Sequence, residues 1–117
     1  MLSGFSSHYC CKTPTDMNAV FTETGVRLTW NGGADCYAVY RAVENDAKYQ
    51  FLGYTQKTEF EDAEFHLKNK RRLTYKVTAL DKTHKGESKG AVAFLSPATR
   101  LEEERYQHII RQMNLYG

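Results

Sequence analysis

Apolar and polar positions alternate with a period of two along most of the chain, then switch to spacings of three and four after Leu95. In "VRLTW", Val26, Leu28 and Trp30 fall on one face and Arg27 and Thr29 on the other, because successive strand side chains point to opposite sides. Glu23-Thr24-Gly25 before it and Asn31-Gly32-Gly33 after it are turn sequences that bound this strand. "CYAVYRAV" (Cys36–Val43) follows, with Tyr37 and Val39 inward and Tyr40 outward, and "YQFLGYT" (Tyr49–Thr55) and "TEFED" (Thr58–Asp62) are two shorter strands. In the run from Leu73 to Leu80, Leu73, Tyr75, Val77 and Ala79 share one face and Thr74, Lys76, Thr78 and Leu80 the other, the pattern of a half-buried strand. "KGAVAFL" (Lys89–Leu95) closes the series after the turn Lys85-Gly86-Glu87-Ser88. With a strand near Asn18–Phe21 the count is seven, as an all-β sandwich requires.

Beyond Leu95 the spacing of Leu101, Tyr106, Ile109, Ile110 and Met113 predicts an amphipathic helix. Thr99 and Glu102 have the capping-box separation. Glu102 to Glu104 lie at the positive end of the helix dipole, and Arg111 lies toward the negative end. The predicted organisation is a tail over 1–13, a sandwich over 14–95 and a helix within 96–117.

At 117 residues the chain has room for one core, and eight tyrosines with six phenylalanines supply the large apolar surface a sandwich buries. A formal net charge of +2 is too small to argue for nucleic acid or an anionic membrane as partner. No run approaches the roughly 18 apolar residues of a membrane span, and "MLSGFSSHYCCK" lacks the apolar stretch of a signal peptide. The expectation is a chain without its own export signal, extracellular only as a piece of a larger secreted protein. Three cysteines, two of them adjacent, do not form a disulfide framework, so reduced thiols are the simpler expectation; a bridge to Cys36 stays open.

Catalytic signals are weak. Glu61 and Asp62 are adjacent carboxylates, but neighbours on a strand face opposite ways, so a capping role for Asp62 is expected instead of acid and base work. His8, Cys10 and Cys11 supply zinc-type ligands without the C-x-x-C or H-x-x-x-H spacing or a fourth ligand. His66, His84 and His108 read as solvated surface. Neither a nucleophile elbow nor a glycine-rich phosphate loop occurs. The basic run Lys68, Lys70, Arg71 and Arg72 follows Glu59, Glu61, Asp62 and Glu64, which neutralise it locally in this reading.

Together, "VRLTW", "DCYAVYRA", "FLGYTQKTEFED", "LTYKVTALD" and "GES" resemble the fibronectin type III domain, in particular versions appended to bacterial carbohydrate-active enzymes, over roughly Pro14 to Leu95. The resemblance implies a core tryptophan, Trp30, between two sheets. It also implies a tyrosine, Tyr75, whose hydroxyl bonds to backbone in a corner arrangement. Leu28 and Val77 take the places of the immunoglobulin inter-sheet cysteines. The segment "HLKNKRRL" and the C-terminal helix depart from the family pattern. "THKGES" sits where an adhesive member of the family carries Arg-Gly-Asp, but Lys85-Gly86-Glu87 lacks both charged residues of that motif and reads as a turn.

The resemblance implies a non-catalytic module, without cofactor or metal, that spaces, orients or docks a neighbouring domain. The alternative is an independent binding domain that uses the helix or an outward tyrosine face to hold a partner or to dimerise. A glycan is a further candidate ligand, because aromatic rings stack on sugars. The residues expected to carry binding are Tyr40, Tyr54, Leu80, Tyr106, Ile109, Ile110 and Met113.

Overall fold

The structure, a computed structural model, describes residues 11–97 together with Arg105, His108, Ile109, Arg111 and Gln112. Among the described residues seven strands form: β1 (Thr15–Phe21), β2 (Val26–Asn31), β3 (Cys36–Val43), β4 (Gln50–Thr55), β5 (Glu59–Asp62), β6 (Leu73–Leu80) and β7 (Ala91–Leu95). They make two antiparallel sheets, one ordered β1-β2-β5 and the other β4-β3-β6-β7.

The predicted inward positions build the space between the sheets. Val26, Leu28 and Trp30 from β2 meet Tyr37 and Val39 from β3 and Leu73, Tyr75, Val77 and Ala79 from β6, all buried. Trp30 stands edge-on to Tyr37, with ring centroids 5.4 Å apart at 70°. The Tyr37 hydroxyl accepts the Ala34 N–H at 3.0 Å, which fixes the β2–β3 turn from inside. Gly32 makes room for this, since a Cβ there would lie 2.6 Å from that hydroxyl.

A buried polar tie joins the sheets at one end. Arg41 of β3, which lies inward after Tyr37 and Val39, is 3% exposed. Its Nη1 donates to Asp62 Oδ2 of β5 at 2.8 Å, and its Nη2 donates to Gln50 Oε1 and Glu64 Oε2 at 3.2 Å each. The guanidinium carbon sits 4.6 Å from the Phe65 ring centroid. Burial disfavours the cation, but the hydrogen bond and charge of Asp62, with Glu64, outweigh it and hold the Arg41 pKa above its usual value.

Three expectations are corrected here. The Tyr75 hydroxyl donates to Asp62 Oδ2 at 2.7 Å and not to backbone, because a buried carboxylate end is the stronger acceptor within reach. Cys11 is disulfide-bonded, so the thiols are not all reduced, and Cys36 is a free buried thiol, so no bridge reaches it. Arg71 pairs with Glu44 at 2.9 Å and not with the carboxylates upstream, because the β3–β4 turn lies closer to it in space than in sequence. "HLKNKRRL" holds a short 3-10 turn, Leu67–Asn69, in which the His66 N–H donates to Asn69 Oδ1 at 2.6 Å.

The expected C-terminal helix falls mainly outside the described residues. Arg105, His108, Ile109, Arg111 and Gln112 are helical and exposed.

Candidate functional site

The outer face of the four-stranded sheet collects the exposed apolar side chains. Of eight exposed large hydrophobic residues among the described ones, Tyr49, Phe51, Tyr54, Val92 and Phe94 lie here, and that concentration marks the face as the candidate site. Cross-strand register explains the arrangement. Tyr40 of β3 lies opposite Phe51 of β4 on one side and Lys76 of β6 on the other, and Lys76 lies opposite Val92 of β7.

A row of rings results. Tyr40 and Phe51 are edge-on with centroids 5.7 Å apart, Phe51 and Tyr54 are 4.9 Å apart, and Tyr54 and His84 are 4.6 Å apart. Lys76 Nζ lies 4.7 Å from the Tyr40 ring centroid and 4.5 Å from that of Tyr49, a cation held between two π faces. Phe51 and Tyr54 are three apart and still share a face, because the β3–β4 register shifts between Val39 and Tyr40 and leaves Leu52 as an extra residue.

The loop after β6 fixes the far end of the row. Asp81 Oδ1 accepts the Thr83 hydroxyl at 2.7 Å and the Thr83 N–H at 3.0 Å, and Asp81 Oδ2 accepts the Gly86 N–H at 3.2 Å. The Thr83 hydroxyl leads the interactions that lower the Asp81 pKa, so the carboxylate form organises the turn. His84, expected as solvated surface, is thereby brought against Tyr54. The segment is an ordered turn that also positions a side chain.

Glu87 closes the near end, where its Oε2 accepts the hydroxyls of Tyr40 and Thr78, each at 2.6 Å. Burial, followed by the Glu87 hydrogen bond and charge, pushes the Tyr40 phenol up to about 12. Since the folded pKa lies above the ordinary value of about 10, this contribution to stability is complete below pH ~10 and is lost as pH rises through about 12. In phenolate absorbance titrations, Tyr40→Phe should remove one late-ionising phenol and Glu87→Gln should return it toward pH ~10. An unchanged titration curve in Glu87→Gln would contradict this assignment.

The expected binding residues divide as follows. Tyr40, half-buried, and Tyr54, exposed, are brought into the row through Phe51. Leu80 is corrected: it is 4% exposed and packs with Cys36, Ala38 and Tyr40. Its alternation pointed away from the core, but the Leu80–Glu87 bridge folds the next loop back beside it, so it offers no docking surface. Ile109 is exposed, whereas Tyr106, Ile110 and Met113 lie outside the described residues. Phe51, Tyr49, His84, Val92 and Phe94 were not anticipated. The signal for Val92 and Phe94 was available, since alternation through "AVAFL" places them opposite Ala91, Ala93 and Leu95.

Acid and base chemistry has no support here. Glu61 is exposed and Asp62 buried, on opposite faces as their adjacency requires, and Asp62 Oδ1 caps the turn by accepting the Glu64 N–H at 3.1 Å. Its other oxygen is taken by Arg41 and Tyr75. Among the described residues no three His, Cys, Asp or Glu side chains are grouped to hold a metal; His8 and Cys10 lie outside them.

No protein-family model and no curated protein sequence matches the chain. Solved structures do. A Fn3-like protein from Clostridium thermocellum superposes with a TM-score of 0.62 at 26% identity, over 77% of this chain and 94% of that one. The FN5 domain of Drosophila Lar gives 0.55 at 14% identity, over 76% and 99%. The twitchin kinase region from C. elegans gives 0.61 at 12% identity, over 74% of this chain and 16% of that one. The fold is thus that of the fibronectin type III domain, an immunoglobulin-like β-sandwich whose members are generally non-catalytic modules.

Proposed function

From the fibronectin type III fold as premise, we propose that this chain is a docking module whose outer four-stranded face holds a neighbouring domain or a partner protein. The observation that carries this reading is the connected row Tyr40, Phe51, Tyr54 and His84, flanked by Lys76, Val92 and Phe94 on a single face. Rings already packed against one another lose little side-chain freedom on binding, so much of the ordering cost is met before a partner arrives. The match to a small fraction of the twitchin chain supports a modular role, because there the same fold sits in a larger polypeptide. A carbohydrate-active enzyme as the neighbouring domain follows from the sequence resemblance alone.

Photo-crosslinking tests the reading. Benzoylphenylalanine in place of Phe51 or Phe94, in cells that naturally make the protein, should couple to one defined partner. The same group in place of Val20, exposed on β1 of the other sheet, should not. Equal coupling at all three positions, or none at Phe51 and Phe94, would count against it. Exposed Ile109 favours a second reading, self-association through the C-terminal segment; a strict monomer by light scattering at high concentration removes it.

A further inference from the structure

We infer that β4 is a strand-addition site, and that its occupant is an extended peptide of about eight to ten residues with apolar side chains at its centre and carboxylates at both ends. The inference deepens the docking reading above by naming what the β4 side of the aromatic face takes.

Among the described residues the edge is unpaired. β4 ends the four-stranded sheet, pairs only with β3, and among the described residues its backbone makes no other backbone hydrogen bond. Of the features that usually blunt an exposed edge, "QFLGYT" carries no lysine, proline or inward charge and has only the bulge at Leu52. The opposing sheet has three strands to this sheet's four, and β1 packs near β7 at the other side, so β4 lies at the margin away from that contact. Beside it runs a groove of about 420 Å³ lined by Tyr54, Thr55, Lys57 and Phe60 together with the charged side chains Arg27, Glu59 and Glu61.

Charge selects the occupant. Lys48 and Lys57 bracket the strand, both exposed and neither in an ion pair among the described residues. Of the nearby carboxylates, Glu59 is neutralised by Arg27, while Glu61 is held in place by the Thr24 hydroxyl and Glu87 by those of Tyr40 and Thr78. Eight residues separate the two lysines, and six of them, Gln50–Thr55, form the strand, so a peptide of about eight to ten residues pairs along the strand and reaches a lysine at each end. A second copy of the chain suits the edge less well, because antiparallel pairing that sets Phe51 against Tyr54 of the other copy also sets Lys48 against Lys57.

The probe is a synthetic ten-residue peptide with an alternating valine and threonine centre and two glutamates at each end, titrated into the isotope-labelled protein. Expected are amide shifts across 50–55 with new exchange protection there, and binding about tenfold weaker when lysines replace the glutamates. Lys48→Glu with Lys57→Glu, both surface changes, should invert that preference. Shifts confined to the rings of Tyr40, Phe51 and Tyr54 without backbone protection would overturn strand addition while leaving face docking intact. No shift with either peptide, or equal affinity for both, would also overturn it, and the crosslinking result would stand apart from that outcome.

Discussion

Asp62→Ala is expected to lower the free energy of unfolding by about 3 to 5 kcal/mol, the usual cost of removing one partner from a buried ion pair. The carboxylate is 4% exposed and serves Arg41, Tyr75 and the Glu64 amide at once, so the substitution removes the acceptor of three donors. Arg41 would keep only Glu64 as a charged partner, and that side chain is 64% exposed and free to swing away. The larger part of the loss is therefore the desolvated cation left behind, and not the missing contact itself.

That origin makes a second measurement decisive. Arg41→Met together with Asp62→Leu and Tyr75→Phe should recover most of the loss, since replacing a whole buried polar cluster with apolar groups of similar size is often neutral. Urea unfolding followed by Trp30 fluorescence reads both proteins. If Asp62→Ala costs less than about 1 kcal/mol, or the triple variant is no more stable than the single one, the tie does not act as described.

Trp30→Ala should cost a similar amount, about 3 to 5 kcal/mol, through a different cause. Trp30 is 3% exposed, and its removal opens a cavity beside Tyr37, whose hydroxyl holds the Ala34 amide and with it the β2–β3 turn. Trp30→Phe should be much milder. The indole Nε1 is buried without a hydrogen-bond partner, so phenylalanine removes an unsatisfied donor as well as some volume. Circular dichroism in urea tests both, because the fluorophore is lost. Equal midpoints for Trp30→Ala and the parent chain would place Trp30 outside the core.

The glycine at the β2 entry shows how closely the start of β2 is fitted to the end of β5, where Val26 pairs with Asp62. A Cβ on Gly25 would sit 2.3 Å from the Asp62 carbonyl oxygen, so backbone would have to move there. The chain thus approaches the polar tie from β2 without a side chain in the way.

Much of the fold was legible because strand alternation is a local property. Val26, Leu28, Trp30, Tyr37, Val39, Tyr75 and Val77 all fall inside as period two predicts, and the turn residues separate the strands. The candidate site was legible only in fragments. Alternation places Tyr40 outward but says nothing of Phe51, because the extra residue in β4 resets the phase between Phe51 and Tyr54. It places Leu80 outward as well, but cannot show that the following loop returns to cover it.

By itself the sequence determined which apolar side chains of β2, β3 and β6 line the space between the sheets, from Val26 to Ala79, because alternation depends on neighbours two residues apart. Only the tertiary structure decided that Arg41 turns into the core to meet Asp62, that Tyr75 shares the same carboxylate, and that Tyr40, Phe51, Tyr54 and His84 form one row. The physical reason is that these partners come from different strands and loops. Their meeting is set by ladder register, a bulge and a loop closure, each of which acts across space and leaves no period in the chain.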